Sequence, residues 1–497
     1  MTGASRLPVR LLELLVLTVA EIVVGVFSGR FKQGMAALAA LFGLIPRIPT
    51  IVARRRAIAD LRRVPEREVL GLQQRGSARV HTFLRSRETS TYVGTASNVR
   101  RWKESSTAPV IAWVLVLALV IFGSRSFLSG GIPAVGEFLR FPDSPRELLA
   151  RFTSGWDATG TGATSPNPTG MAAVSLLSVT TLFRMGLLHT LFIIGLVVVG
   201  LIGLWKLATV FPSTRARIAA LAVYAASPLV SGAFGTGSLD VLVAFAAVPW
   251  VLHTLRRCVG VETADPRTAA SDVADGLVDL AWSERLRRTI QFGIVVALAA
   301  AFSPVVLVLS LVLGLLMALA TLLALAPVRT AAMYLLSTVV GVAIAALLSI
   351  PWIGSWSWDS MVGAPPIGDP GRGLRALASF EIGPTDFVSL SLALYLPVVA
   401  ALLLARAWRL TWAVRAAILV LGFGALAVFG DRGDLPVPAP QAGILLVPVA
   451  AGLALAAGAS LAAFDLDVRG GTFGWRQPLG IAASIAIAIG IVPGVLA

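Results

Sequence analysis

Acidic residues are scarce in this chain, and four of them share one polar stretch, Arg125–Gly170: Glu137, Asp143, Glu147 and Asp157. Asp157 sits in the run Ser154-Gly155-Trp156-Asp157-Ala158-Thr159-Gly160-Thr161-Gly162. Glycines such as Gly155 and Gly160 let backbone approach a ligand closely. Trp156 offers an aromatic face to a sugar ring or a lipid interface, and Arg151 adds a cation. A carboxylate so placed can take the proton of an acceptor hydroxyl, or stabilise charge, while a sugar leaves a lipid carrier. On that chemistry Asp157 ranks first as a catalytic residue, followed by Asp143 and Glu137. Trp156, Gly155, Gly160 and Arg151 form the substrate-binding set. The plainer reading is charge balance, because Arg125, Arg140, Arg146 and Arg151 match the four acids.

Other acids are weaker candidates. The segment Pro351–Asp386 carries Asp359, Asp369, Glu381 and Asp386, but its Trp352, Trp356 and Trp358 fit the aromatic belt of a bilayer edge. The glycine-rich run Gly232–Ser238, followed by Asp240, joins two short apolar runs. It could line a cavity facing an anionic group, although an ordinary tight turn explains it as well. Glu13 and Glu21 lie eight apart, close to one face of the first apolar run. Asp465-Leu466-Asp467 has the DxD form without the strand that usually precedes it. One cysteine, Cys258, and three scattered histidines, His81, His189 and His253, exclude a disulfide and a zinc cage. No metal-ligating set is read from the sequence, and no cofactor is specified.

These residues must be positioned by membrane helices. The hydrophobic fraction is 57%, the charged fraction 13% and the mean hydropathy +0.84, where a soluble domain carries about 25% charged residues. Between Arg54 and Glu104 stand thirteen basic residues against five acidic ones. That reads as a cytoplasmic segment with amphipathic helices beside anionic lipid. Nucleic acid is excluded as a partner, because aromatic interleaving is nearly absent there. Leu11–Ser28 lacks the small residues of a cleavage site, so it is not a signal peptide.

A crossing needs about 20 apolar residues. Leu11–Ser28 and Met35–Val52 predict an N-terminal hairpin over 1–52, then the basic segment 53–107, then a bundle over 108–497 with outer loops 125–187 and 351–386. The fold class is all-α, a polytopic bundle of about 11–13 spans. The apolar run Ile290–Ala326 contains Ser303-Pro304, and proline disfavours helix in the residue before it, so two helices turn there. Met171–Phe183 is too short to cross and ends at Arg184, so it is placed in the interface. With the Arg54–Lys103 segment inside and sides alternating, 29 lysines and arginines fall inside against nine outside. The expected location is the plasma membrane, multi-pass, with a cytoplasmic N-terminus.

Arg62-Arg63-Val64-Pro65-Glu66-Arg67-Glu68-Val69, Leu72–Arg79, Ser154–Gly162 and Phe473-Gly474-Trp475-Arg476-Gln477 resemble the membrane half of large high-GC bacterial family 2 glycosyltransferase-like proteins. The layout, a bundle with a long first outer loop, is also similar to lipid-linked-sugar-dependent GT-C transferases. The resemblance implies a membrane module of a cell-envelope glycosyltransferase and a polyprenyl-phosphate sugar as partner. It further implies an attached cytoplasmic GT-A domain, for which no strand–helix pattern precedes Leu11. With no polar tail after Val492–Ala497, the expectation is a fragment of a longer protein. Two alternatives stay open: a transporter or flippase of a lipid-linked glycan, and a non-catalytic membrane anchor of that GT-A domain.

Overall fold

The computed structural model describes residues 98–157, 162–261, 280–362, 371–382, 388–465 and 474–496. The chain divides into two compact units, Met1–Thr107 and Ala108–Ala497. The expected N-terminal hairpin, Glu13, Glu21, His81 and the basic segment up to residue 97 lie outside the described residues.

Helix α1 (Asn98–Gly123) leads through α2 (Arg125–Gly130) and α3 (Pro145–Ser154) to strands β1 (Trp156–Asp157) and β2 (Ala163–Thr164). The strands pair antiparallel, and α4 (Thr169–Leu177) follows. Next come α5 (Met185–Leu207), α6 (Thr214–Ala225), α7 (Pro228–Thr236), α8 (Leu239–Cys258), α9 (Trp282–Ala300), α10 (Val305–Leu323) and α11 (Val328–Leu348). Short helices α12 (Trp358–Val362) and α13 (Gly373–Ala378) precede α14 (Leu396–Leu404), α15 (Trp408–Arg432), α16 (Ala442–Ala463), α17 (Arg476–Gly490) and α18 (Val492–Leu496). Among the described residues, eight helical stretches are long and apolar enough to cross a membrane. Three shorter apolar ones are Ala108–Gly123, Thr169–Thr181 and Val388–Leu404. Apart from the two-residue hairpin the fold is all-α, a polytopic membrane bundle in which helices satisfy their own backbone.

Local chemistry sets the boundaries. Helix α9 stops at Ala300 and α10 starts at Val305, the break falling at Ser303-Pro304. Ser213 caps α6 by accepting the Ala216 amide. Helix α16 forms the core, with nearly every residue buried. Its small residues permit that: a Cβ on Gly452 would meet the Ala416 carbonyl and Val420, and one on Gly458 would meet Phe211.

The two outer loops are more helical than their polar composition suggests. Helices α2 and α3 and the hairpin occupy the first. The second contains α12 and α13, with α13 anchored by Asp431, whose carboxylate accepts the amides of Arg372 (2.8 Å) and Gly373 (3.0 Å). Short polar helices of this kind lack the apolar periodicity from which a helix is read.

Candidate functional site

Among the described residues, Glu137 is the loop acid that bonds to the bundle. Its amide donates to the Gly237 carbonyl at 2.8 Å. Its Oε2 accepts the Asp240 amide at 2.9 Å, joining residues 103 apart in sequence. Both glycines at this junction have positive φ, +56° at Gly136 and +70° at Gly237. A Cβ on Gly136 would stand 2.6 Å from the Thr236 carbonyl, and one on Gly237 would overlap the Val135 carbonyl. Only glycine lets the two backbones touch here.

The bond has a clear physical cause. The first turn of a helix leaves its amides without intrahelical partners and carries partial positive charge. Glu137 supplies a carboxylate to the first turn of α8, a twenty-residue helix. Asp240 lies in the same turn, so two carboxyl groups meet at this end of the bundle. Ser303, at the break between α9 and α10, is fully buried. Glu137 is half-buried, and its backbone neighbour Phe138 packs edge-on to Phe234 of α7, ring centroids 6.1 Å apart.

The other sequence candidates sit apart from this junction. Asp143 is exposed and makes no hydrogen bond or ion pair with the described residues. Asp157 is placed by its backbone, in β1 opposite Ala163, and Gly160 lies outside the described residues. Gly155 has a φ of +61° and caps α3 in the left-handed conformation. Arg151 pairs with Glu147 at 2.6 Å on the surface of α3. Trp156 is 50% exposed, with Gly162 so close to its ring that no Cβ would fit between them. Asn167, which was no site candidate, fixes this hairpin. It is buried, and its Nδ2 donates to the carbonyls of Arg151 (2.7 Å) and Trp156 (3.0 Å).

Motifs elsewhere have structural explanations. Asp465 accepts the Ser213 hydroxyl at 2.9 Å and lies 3.8 Å from Arg215, tying the end of α16 to the start of α6. Its DxD partner Asp467 lies outside the described residues. His189 packs edge-on to Phe141, and Cys258 is buried and free. Trp352 and Trp356 stack edge to face, and Trp358 donates to the Pro438 carbonyl at 3.0 Å. An apolar recess of about 360 Å³ between α13, α15 and α16 has no acid in its lining. Among the described residues, no three of His, Cys, Asp and Glu gather in a group that could hold a metal ion.

Asp240 is the residue that reading along the chain could not pair with Glu137. The run Gly232–Ser238 pointed to its neighbourhood, but as a tight turn. Its first residues close α7, and the turn into α8 is Gly237-Ser238, with Gly237 as the left-handed cap.

Fold and site together define a polytopic helical membrane protein with a two-carboxylate junction where its long loop meets the bundle. No family model matches the chain, and no curated protein matches it. The chain is similar to a solved structure, by cryo-electron microscopy, of a mutant of arabinofuranosyltransferase AftD from Mycobacteria, with 19% identity and a TM-score of 0.44. The match covers 78% of this chain and 28% of that one, so this chain corresponds to a little over a quarter of AftD's length.

Proposed function

We propose that this chain is a membrane module of a cell-envelope glycosyltransferase, transferring or positioning sugar from a polyprenyl-phosphate donor onto a lipid-linked or glycan acceptor. The observation that carries this reading is the 2.9 Å bond from the Asp240 amide to Glu137, which fastens the long loop to the start of α8. A loop so fastened can hold two substrates in register, which is where much of a transfer enzyme's acceleration originates. Glu137, fixed by that bond, is the third candidate carboxylate for the transfer step. A loop carboxylate, Asp157 or Asp143, accepts the proton of the acceptor hydroxyl as the new glycosidic bond forms. The bond from the anomeric carbon to phosphate breaks, and its electron pair leaves with the phosphate. Trp156, Gly155, Gly160 and Arg151 line the acceptor side. The resemblance to family 2 transferase membrane halves fits the same reading, with the catalytic face outside the plasma membrane, the N-terminus inside, and an attached cytoplasmic GT-A domain.

The test is transfer of radiolabelled sugar from a polyprenyl-phosphate donor by the full chain in proteoliposomes. Loss of a general base lowers the rate by about 10²–10⁴-fold. Asp157→Asn or Asp143→Asn should lose that much while inserting normally. Unchanged rates in both would remove the loop from the chemistry. Movement of the lipid-linked sugar across the bilayer with its covalent structure intact would favour a transporter instead.

A further inference from the structure

We infer that the apolar recess between α13, α15 and α16 holds one acyl chain of a phospholipid, whose phosphate is taken by Arg372, Arg375 and Arg432 at its rim. Such a lipid site stands apart from the sugar-transfer reading.

The recess opens on a side of the bundle that faces lipid: of its lining, Leu421 is 66% exposed and Leu374 61%. Along α15 it runs from Val420 to Phe429, about 13 Å at the helical rise. The sequence of α15 supplies the floor. Gly424 and Ala425 place no long side chain there, and a Cβ on Gly424 would meet nothing within 4 Å. Gly422 differs, since a Cβ on it would meet Leu316 at 2.7 Å. Gly422 therefore serves helix packing, while Gly424 leaves space. Tyr395 brings the only polar side chain among the described lining residues, and its hydroxyl is spent on the Ala378 carbonyl at 3.2 Å. A guest is offered hydrocarbon contact and nothing else, so the guest is hydrocarbon.

Length and charge select the lipid. About 13 Å is close to half of the roughly 30 Å hydrocarbon core, the reach of an acyl chain from its head to the midplane. A polyprenyl chain is several times longer and would leave most of itself outside. The recess ends under α13, which Asp431 holds against the last turn of α15 through the amides of Arg372 and Gly373. Arg372 and Arg375 belong to that lintel, and Arg432 ends α15. All three are exposed, and none makes an ion pair with the described residues. Asp431 is occupied by the two amides. The other acids of residues 371–382 and 431–434 are Glu381 and Asp434, fewer by one than the arginines. A surplus of one positive charge matches a single phosphodiester, and guanidinium forks suit its oxygens.

The probe is phosphatidylglycerol with palmitoyl and oleoyl chains, titrated into the delipidated full chain in detergent and counted by native mass spectrometry. One saturable adduct per chain is expected. Gly424→Leu fills the recess without a clash, so it should weaken that adduct at least about tenfold while the melting temperature holds or rises. Arg372→Gln combined with Arg375→Gln should also cost about tenfold or more, because bonds to charged groups are the strong ones. Diacylglycerol, which lacks the phosphate, should bind the unaltered chain as weakly. Leu336→Phe, on the exposed side of α11, is the control and should change nothing. Absence of a saturable adduct overturns the proposal, as does binding that Gly424→Leu leaves intact. Equal binding of diacylglycerol would do so too, since the arginines would then hold nothing. Should undecaprenyl phosphate displace the phospholipid at much lower concentration, the occupant is a prenyl lipid and the phospholipid site is wrong.

Discussion

The two ends of helix α8 handle buried charge in opposite ways. At the Arg256 end, the guanidinium is 2% exposed and bonds to several groups at once. It donates to the carbonyls of Val261 (2.9 Å) and Lys206 (3.4 Å), to the Thr209 hydroxyl (3.1 Å), and meets His253 Nδ1 at 3.2 Å. That knot pins the end of α5 to the end of α8. At the Glu137 end, one amide is satisfied and carboxylate oxygens are left over. A charge bonded to several neighbours at once holds structure together, while a charge with a single bond keeps positions open for chemistry.

The contrast is broken or sharpened most by Arg256→Met. Hydrogen bonds to a charged group contribute about 1.5–3 kcal/mol each, and several go at once. A loss of about 3 kcal/mol or more is expected, read as a sharply lower melting temperature in detergent. Glu137→Gln should move the same midpoint far less, and equal losses would dissolve the distinction. Next in size is Gly237→Ala. A residue forced into left-handed backbone costs about 1–3 kcal/mol, and here the new methyl also meets the Val135 carbonyl. Limited proteolysis should show the 125–170 loop released from α8.

Smaller effects are expected where acids are already partnered. Asp465→Asn keeps an acceptor for Ser213, so stability should fall by less than about 1 kcal/mol, and sugar transfer should be unchanged. A large loss of transfer would return the DxD motif to the site. Glu284, before the apolar part of α9, should have the smallest effect. Burial alone would raise its carboxyl, but hydrogen bonds from Arg287 (2.7 Å) and Arg288 (2.8 Å) outweigh it and hold the group below its ordinary value. A depressed carboxyl stabilises above its unfolded value, and the contribution disappears as pH falls through the lower folded value. For this partly exposed group less than about 1 kcal/mol is at stake, so Glu284→Gln should flatten the acid limb of the melting curve only slightly.

How far the sequence could be read follows from what each signal reports. Hydropathy reports lipid, and the apolar run Ile290–Ala326 holds α10 and most of α9. Proline located the Ser303-Pro304 turn, and Arg184 ends the apolar surface stretch that begins with α4. Neither signal reports which side chains meet across the bundle. Glu137 ranked behind Asp157 and Asp143 because the glycine–tryptophan run drew attention to Asp157. Its bond to Asp240 spans 103 residues and leaves no local pattern. Gly237 was visible as a glycine, but its role as a cap that admits the Val135 backbone depends on packing. The helices inside both polar loops escaped for a related reason, since caps and tertiary contacts hold them, not periodicity.

Gly170 opens the surface helix α4, and its amide donates to the Ala301 carbonyl at 3.0 Å, two residues before Ser303. A Cβ there would collide with that carbonyl and with the Phe302 ring, so the contact tolerates no spacer. The surface helix and the interhelical corner therefore move as one piece. A displacement of α4 is felt directly at the corner between α9 and α10.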